Sequence, residues 1–194
     1  MREHTAQEHR LAHIVRVARL GGALASAHGL DAQAARTAGM LHDLARLFPA
    51  ERLLAESARR GLPIGRFERA YPIVLHAPLG AELAREQFGI TDADVLSAIR
   101  KHTVADAVMS PLDRVVYLAD GLEPGRDFPQ RAELAALAFR DIDAAMRALL
   151  ASTLRYLEAR GLEVAPQTRA AARQSGLELP ASSQPASAKE HCSA

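Results

Sequence analysis

The sequence predicts an all-α fold, a helical bundle, on three observations. Hydrophobic residues make up 48% of the chain, enough to bury a core. Aromatics are only 4% and tryptophan is absent, while alanine and leucine abound, a bias that suits helices better than strands. Apolar positions recur at helical spacing between capping residues, prolines and glycines. A chain of 194 residues favours one domain, expected over 1–179. From Pro180 the sequence loses apolar periodicity, so 180–194 is expected to be a disordered C-terminal tail.

The elements follow in order. Thr5-Ala-Gln-Glu8 has capping-box spacing and opens a first helix that ends near Ala27, before Gly29. Within it His13, Val17, Leu20 and Leu24 share one face. Asp31 can N-cap a second helix from Ala32 to about Phe48, which places Asp43 mid-helix; Pro49 ends it and opens a third that stops at Gly61. Residues 61–78, with Pro63, Gly65, Pro72 and Pro78, read as loop broken by short helical turns. Leu79 to Phe88 is helical. Thr91-Asp-Ala-Asp94 starts a helix through His102, and Ser110-Pro111 starts one that ends near Asp120. A single last long helix is expected over 134–159, stopped by Gly161, with a short turn at Pro166.

Charge and cysteine usage exclude several functions. The 24 basic and 23 acidic side chains nearly cancel, which disfavours nucleic-acid tracking. The longest stretch without Asp, Glu, Lys or Arg, 70–81, is too short to span a bilayer, and the N-terminus lacks the apolar core of a secretion signal. A cytoplasmic protein with no membrane partner is the expectation. The single Cys192 permits neither a disulfide framework nor a cysteine metal site. Eight histidines stand against it; His4, His9, His28 and His191 fall in polar or terminal positions.

The other four carry the chemistry. His13, the pair His42-Asp43, and Asp120 each sit beside apolar residues on expected helices. Singly, each His reads as a hydrogen-bonded core residue and each Asp as a cap. Together they suit Fe, Mn, Co, Zn or Ni, and carboxylate-rich versions admit Mg. A carboxylate among apolar neighbours, as at Asp43, needs a strong partner, and a metal is one. His76, after an apolar turn, and His102, at a helix end, can complete a second site with a shared carboxylate.

At these residues a resemblance becomes specific. His13, His42-Asp43 and Asp120 match the H…HD…D signature of the HD-superfamily metal phosphohydrolases. The strings Arg10-Leu-Ala-His13, Ala38-Gly-Met-Leu-His42-Asp43-Leu-Ala-Arg46, Leu75-His76-Ala-Pro-Leu-Gly80 and Ala98-Ile-Arg-Lys-His102-Thr103 narrow it. So do Met109-Ser-Pro-Leu-Asp113 and Tyr117-Leu-Ala-Asp120-Gly-Leu-Glu-Pro124-Gly-Arg126-Asp-Phe128. Over about residues 10–168 the chain resembles the YqeK family, bacterial symmetrical hydrolases of diadenosine tetraphosphate.

The resemblance implies an HD-domain helical bundle with a divalent metal, iron first and manganese or cobalt as alternatives, as one or two ions. It implies that His13, His42, Asp43 and Asp120 hold metal, that His76 and His102 serve a second ion or the adjoining phosphates, and that Asp43 bridges. Asp43, His42 and Arg46 are the expected catalytic residues. Nucleotide contacts carry over to Arg10, Arg46, His76, His102, Thr103, Arg126, and Gln167 and Thr168 in the segment 163–168. Arg10 and Arg46 stand three residues from metal ligands, which on a helix sets a guanidinium beside each. The implied partners are a dinucleoside polyphosphate substrate and its ADP product, with a homodimer allowed. The chain departs from the family's pattern at Arg16, where Gly is usual, at Val104-Ala105, where Thr-Gly or a similar small pair is usual, and at Arg46, where Lys is typical. The rival readings are another HD-family nucleotide phosphohydrolase, or a helical nucleotide-binding module without turnover. The Gly-Tyr-Pro motif of cyclic-di-GMP phosphodiesterases is absent, and Asp43 is not followed by the continuation typical of stringent-response hydrolases.

Overall fold

A computed structural model describes residues 2–179, with side chains from Glu8 onward. The expected disorder of 180–194, with His191 and Cys192, therefore lies outside the described residues, as do the side chains of His4 and Thr5. No strand occurs among the described residues, and ten α-helices and one 3₁₀ turn account for the fold.

Helix α1 spans Arg2–Ala27 and runs through Thr5 instead of starting there. It ends where Gly29 takes a φ of +69° and the Leu30 N–H returns to the Ala25 carbonyl at 2.8 Å, a glycine-terminated stop. Helix α2 (Ala32–Leu41) is N-capped by Asp31, whose carboxylate accepts from the Gln33 and Ala34 N–H groups. It stops at Leu41, well before Phe48. The reason is local: His42 Nδ1 donates to the Gly39 carbonyl at 2.7 Å, the acceptor that the Asp43 N–H would use if the helix continued. Asp43 is consequently in the turn after the helix, not mid-helix as its neighbours suggest.

Helix α3 (Ala50–Arg59) follows Pro49, and Gly61 closes it with a φ of +67°. The stretch 61–78 contains α4 (Arg66–Ala70) and a 3₁₀ turn at Pro72–Leu75, and α5 (His76–Phe88) begins three residues earlier than its first leucine. Helix α6 (Ala93–Lys101) is capped by Asp92 and not Thr91. In α7 (Pro111–Leu122) Ser110 and Asp113 form a reciprocal capping box, and the helix continues two residues past Asp120. The expected last long helix is two, α8 (Arg131–Ala138) and α9 (Ile142–Ala159). The break falls where the Asp141 side chain leaves the helical path to accept from the Ala144 N–H. Pro166 opens α10, a helix as far as Gln174.

Helix α7 is the centre, packed on α1, α2, α6, α8 and α9. Its Val115, Leu118 and Leu122 meet Leu24, Ile99 and Leu150 in the main core. Leu53, Leu75, Leu79 and Leu83 form a second cluster under α3 and α5. Helices α1 and α2 approach so closely that a Cβ on Gly39 would lie 2.8 Å from the Ala18 Cα. That approach brings His13 of α1 toward His42 at the end of α2. Gly39→Val should cost about 1–3 kcal/mol by overpacking, seen as a lower denaturation midpoint, and should weaken metal binding as the two helices separate. An unchanged midpoint would contradict this account of the packing.

Candidate metal centre

Four histidines converge because each is held from behind. The Nδ1 of His42, His76 and His102 donates to the carbonyl three residues earlier, Gly39, Ile73 and Ile99, at 2.7, 2.5 and 2.8 Å. All three follow the same local rule: each stands directly after a helical segment and its ring takes a carbonyl from that segment's last turn. A carbonyl can only accept, so Nδ1 carries the proton and Nε2 is left as the inward donor atom. His13 achieves the same from mid-helix, with Nδ1 3.0 Å from Glu123 Oε1.

The inward atoms form two adjoining groups. In the first, His13 Nε2 lies 3.3 Å from His42 Nε2, 3.2 Å from Asp120 Oδ1 and 3.7 Å from Asp43 Oδ2. In the second, Asp43 Oδ1 lies 3.3 Å from His76 Nε2 and 3.8 Å from His102 Nε2, which are 3.1 Å from each other. Asp43 thus turns one oxygen to each group. All four histidines and Asp43 are buried. Imidazole lone pairs aimed at one another across about 3 Å repel unless a proton or cation lies between them, and nitrogen with carboxylate oxygen is a fitting set for a divalent transition metal. The residues present therefore fit a metal, in one or two positions.

Charge within the site is arranged to keep the carboxylates ionised. Burial pushes the Asp43 carboxyl up, but hydrogen bonds and charge from His42 and His76 outweigh it and hold the group well below the usual range. Asp120 is likewise held low: burial opposes ionisation, and His13, with the charges around it, prevails. Burial, reinforced by His42 and His76, pushes the His102 imidazole down to about 3, so it is neutral, the form that ligates.

Arginines wall a cavity of about 240 Å³ above these groups, lined by Arg10, Arg46 and Arg126 together with His76, His102 and Thr103. Arg10 donates to Asp43 Oδ2 at 2.7 Å and Arg126 to Asp120 Oδ1 at 2.5 Å. Arg46 makes no ion pair among the described residues. Burial, followed by the charge of Arg10, lowers its pKa, so an anion entering the cavity relieves crowded positive charge. The Thr103 hydroxyl reaches both His76 Nε2 and His102 Nε2, at 3.2 and 3.0 Å.

Of the expected nucleotide contacts, Gln167 and Thr168 do not line this cavity. Thr168 is buried and donates to the Val104 carbonyl at 2.7 Å, tethering the loop behind Thr103. Ala105 in that loop has a φ of +59°, a left-handed conformation that explains why a small residue suits the position. Arg16, the departure in α1, pairs with Glu123 and fills the space beside Gly125.

Glu123 is the residue that the sequence reading missed. It is 2% exposed and accepts from His13, Arg16 and the Gly125 N–H. Burial pushes its carboxyl up, yet the Arg16 and His13 hydrogen bonds bring it down to about 2. Its one signal in the sequence is its place three residues after Asp120, one helical turn on.

Buried imidazoles and carboxylates converging inside an all-α bundle, under a wall of arginines, define a metal-dependent phosphohydrolase. The HD domain family model matches residues 10–125. The Bacillus subtilis protein named bis(5'-nucleosyl)-tetraphosphatase, symmetrical, is 35% identical over 161 residues, 83% of this chain and 86% of that protein. The chain belongs to the HD family, in its YqeK-type group of symmetrical bis(5'-nucleosyl)-tetraphosphatases. A protein of the same name from Halalkalibacterium halodurans is 35% identical over 88% of this chain and 91% of its own length. A crystal structure from Clostridium acetobutylicum, described as a predicted HD superfamily hydrolase involved in NAD metabolism, superposes with a TM-score of 0.83 at 31% identity. It covers 86% of this chain and 88% of its own. No helix among the described residues is long and apolar enough to cross a membrane.

Proposed function

We propose that this chain hydrolyses diadenosine tetraphosphate symmetrically, adding one water and releasing two ADP, with iron, or manganese or cobalt, at the His and Asp cluster. The observation that carries the reading is the half-buried Arg46, which has no ion-pair partner among the described residues, beside the inward Nε2 and carboxylate donors. A site that needed only to satisfy its own charges would pair that arginine, whereas a polyphosphate supplies the missing anion.

His13, His42, Asp43 and Asp120 would hold one ion, and His76 and His102 with the second oxygen of Asp43 would hold another. When bound, the metal supplies Lewis-acid charge and lowers the pKa of a water at neutral pH. The protein's own groups supply the rest. Arg46 and Arg126 grip non-bridging phosphate oxygens, and Arg10, hydrogen-bonded to Asp43 Oδ2, orients that carboxylate. The Thr103 hydroxyl is placed to donate to a phosphate oxygen near His76 and His102. In the reaction a water oxygen bonds to one of the two central phosphorus atoms, and the bond from that phosphorus to the central bridging oxygen breaks. The water's protons end on the two products, and the arginines neutralise charge growing on the leaving ADP.

Product analysis in ¹⁸O-labelled water tests this. Two ADP are expected, with one labelled oxygen per turnover. ATP with AMP, or no turnover with any of the three metals, would overturn the assignment.

A further inference from the structure

The metal cavity does not stand alone. A smaller cavity of about 160 Å³ shares His102, Thr103 and Asp120 with it. That one in turn shares Gly121, Leu149 and Thr153 with a groove of about 610 Å³ between the end of α7 and the face of α9. Arg126 lines both the metal cavity and the groove, so one guanidinium stands at the junction. The three spaces adjoin one another through these shared walls, from a charged end at the metal cavity to a largely apolar one at the groove.

The groove has different chemistry from the site it continues. Its walls include Phe128, Leu149 and Tyr156, with Asp127, Ser152 and Thr153 as further polar residues beside Arg126; the Thr153 hydroxyl donates to the Leu149 carbonyl at 3.0 Å. Tyr156 lines the groove and is 55% exposed, and the Arg160 guanidinium lies over its ring, 5.1 Å from the centroid. In a chain with only five Phe and three Tyr, one of each lines this groove. At Gly121 a Cβ would lie 2.6 Å from Leu149 Cδ2, so bare backbone forms part of the floor. Gln167 and Thr168 line none of the three spaces, which makes the groove separate from the nucleotide contacts expected in 163–168.

We infer that this groove is a nucleoside subsite: it takes one nucleoside end of the dinucleoside polyphosphate whose phosphates lie over the metal cavity. The inference rests on the function proposed above and deepens it. Further phosphates are poorly suited to walls that carry a single arginine. A flat purine with a ribose suits them, because aromatic and aliphatic side chains take the base faces and hydroxyls take the sugar. The volume falls in the range of roughly 300–1,000 Å³ usual for small-molecule sites. Continuity through Arg126 supplies the covalent logic, since whatever enters the groove is tied to a phosphate at the junction.

The test compares a nucleoside-bearing substrate with a phosphate-only ligand on the full metal-loaded chain. Tyr156→Ala removes a wall, and Ser152→Trp fills the space. Each should lower kcat/KM for diadenosine tetraphosphate at least about five-fold, the low end for loss of a base-stacking contact. Inhibition by inorganic tripolyphosphate should stay within about two-fold of wild type, and Tyr156→Phe should restore most of the loss. Equal weakening toward tripolyphosphate would overturn the subsite, because the substitutions would then act through the metal cavity or the fold. Unchanged kcat/KM in both variants would overturn it too. Failure of the wild type to yield two ADP would remove the underlying function, and is read separately from the variants.

Discussion

Asp43→Asn should reduce turnover by on the order of 10³-fold while the helices remain. Asp43 turns one oxygen to each half of the donor set, 3.7 Å from His13 Nε2 on one side and 3.3 Å from His76 Nε2 on the other. An amide of the same shape keeps the packing but removes the negative charge that draws cations into both halves. Its neutral oxygen is a weaker ligand, and its NH₂ presents a donor where an acceptor is needed. Circular dichroism should be unchanged, metal content should fall, and product formation should drop out. Activity within ten-fold of wild type, at full metal loading, would remove Asp43 from the bridging role.

Glu123→Ala should weaken metal binding about 10- to 100-fold, the usual cost of losing a carboxylate that orients a ligating histidine. Glu123 touches neither the cavity nor any inward Nε2. It fixes His13 with Nδ1 protonated and Nε2 facing inward, and Arg16 with the Gly125 N–H fixes Glu123 in turn. It is a positioning residue. Truncation leaves the His13 N–H without its acceptor, so the ring can turn or change tautomer. Titration with Co, read by its absorption spectrum, separates this role from a structural one. Glu123→Gln keeps an acceptor oxygen and should recover part of the affinity. If the metal affinity of Glu123→Ala matches wild type while its melting temperature falls, the carboxylate serves the fold alone.

The fold was legible to the extent that its signals are local. Asp31, Ser110 and the glycines at 29, 61 and 89 mark helix ends with their own side chains or their freedom at positive φ. The misread ends share one cause. Beyond Leu41 the apolar pattern continues to Phe48 and implies more helix, but the His42 imidazole claims the Gly39 carbonyl. At Asp141 a side-chain cap splits what reads as one amphipathic stretch. Both are competitions between a side chain and the backbone for the same hydrogen bond, and periodicity does not register them.

The site divides in the same way. His13, His42-Asp43, His76, His102 and Asp120 were recognisable as a set because their residue types are rare beside apolar neighbours and costly to bury without a partner. Arg10, Arg46 and Arg126 stood out from the other arginines through the family resemblance, supported by helical spacing for Arg10 and Arg46 and by a Gly-Pro-rich loop just past Asp120 for Arg126. The sequence by itself determined the helical class, the candidate donor residues and the family they resemble. Only the tertiary structure decided the outward protons on Nδ1, the pairing of Arg10 with Asp43 and Arg126 with Asp120, an Arg46 with no ion-pair partner among the described residues, the buried Glu123 and the groove beyond Arg126. These depend on distances between helices far apart in the chain, 110 residues in the case of His13 and Glu123. Spacing along a helix reports which residues share a face; which faces meet, and with which atoms, is settled by packing such as the close approach at Gly39.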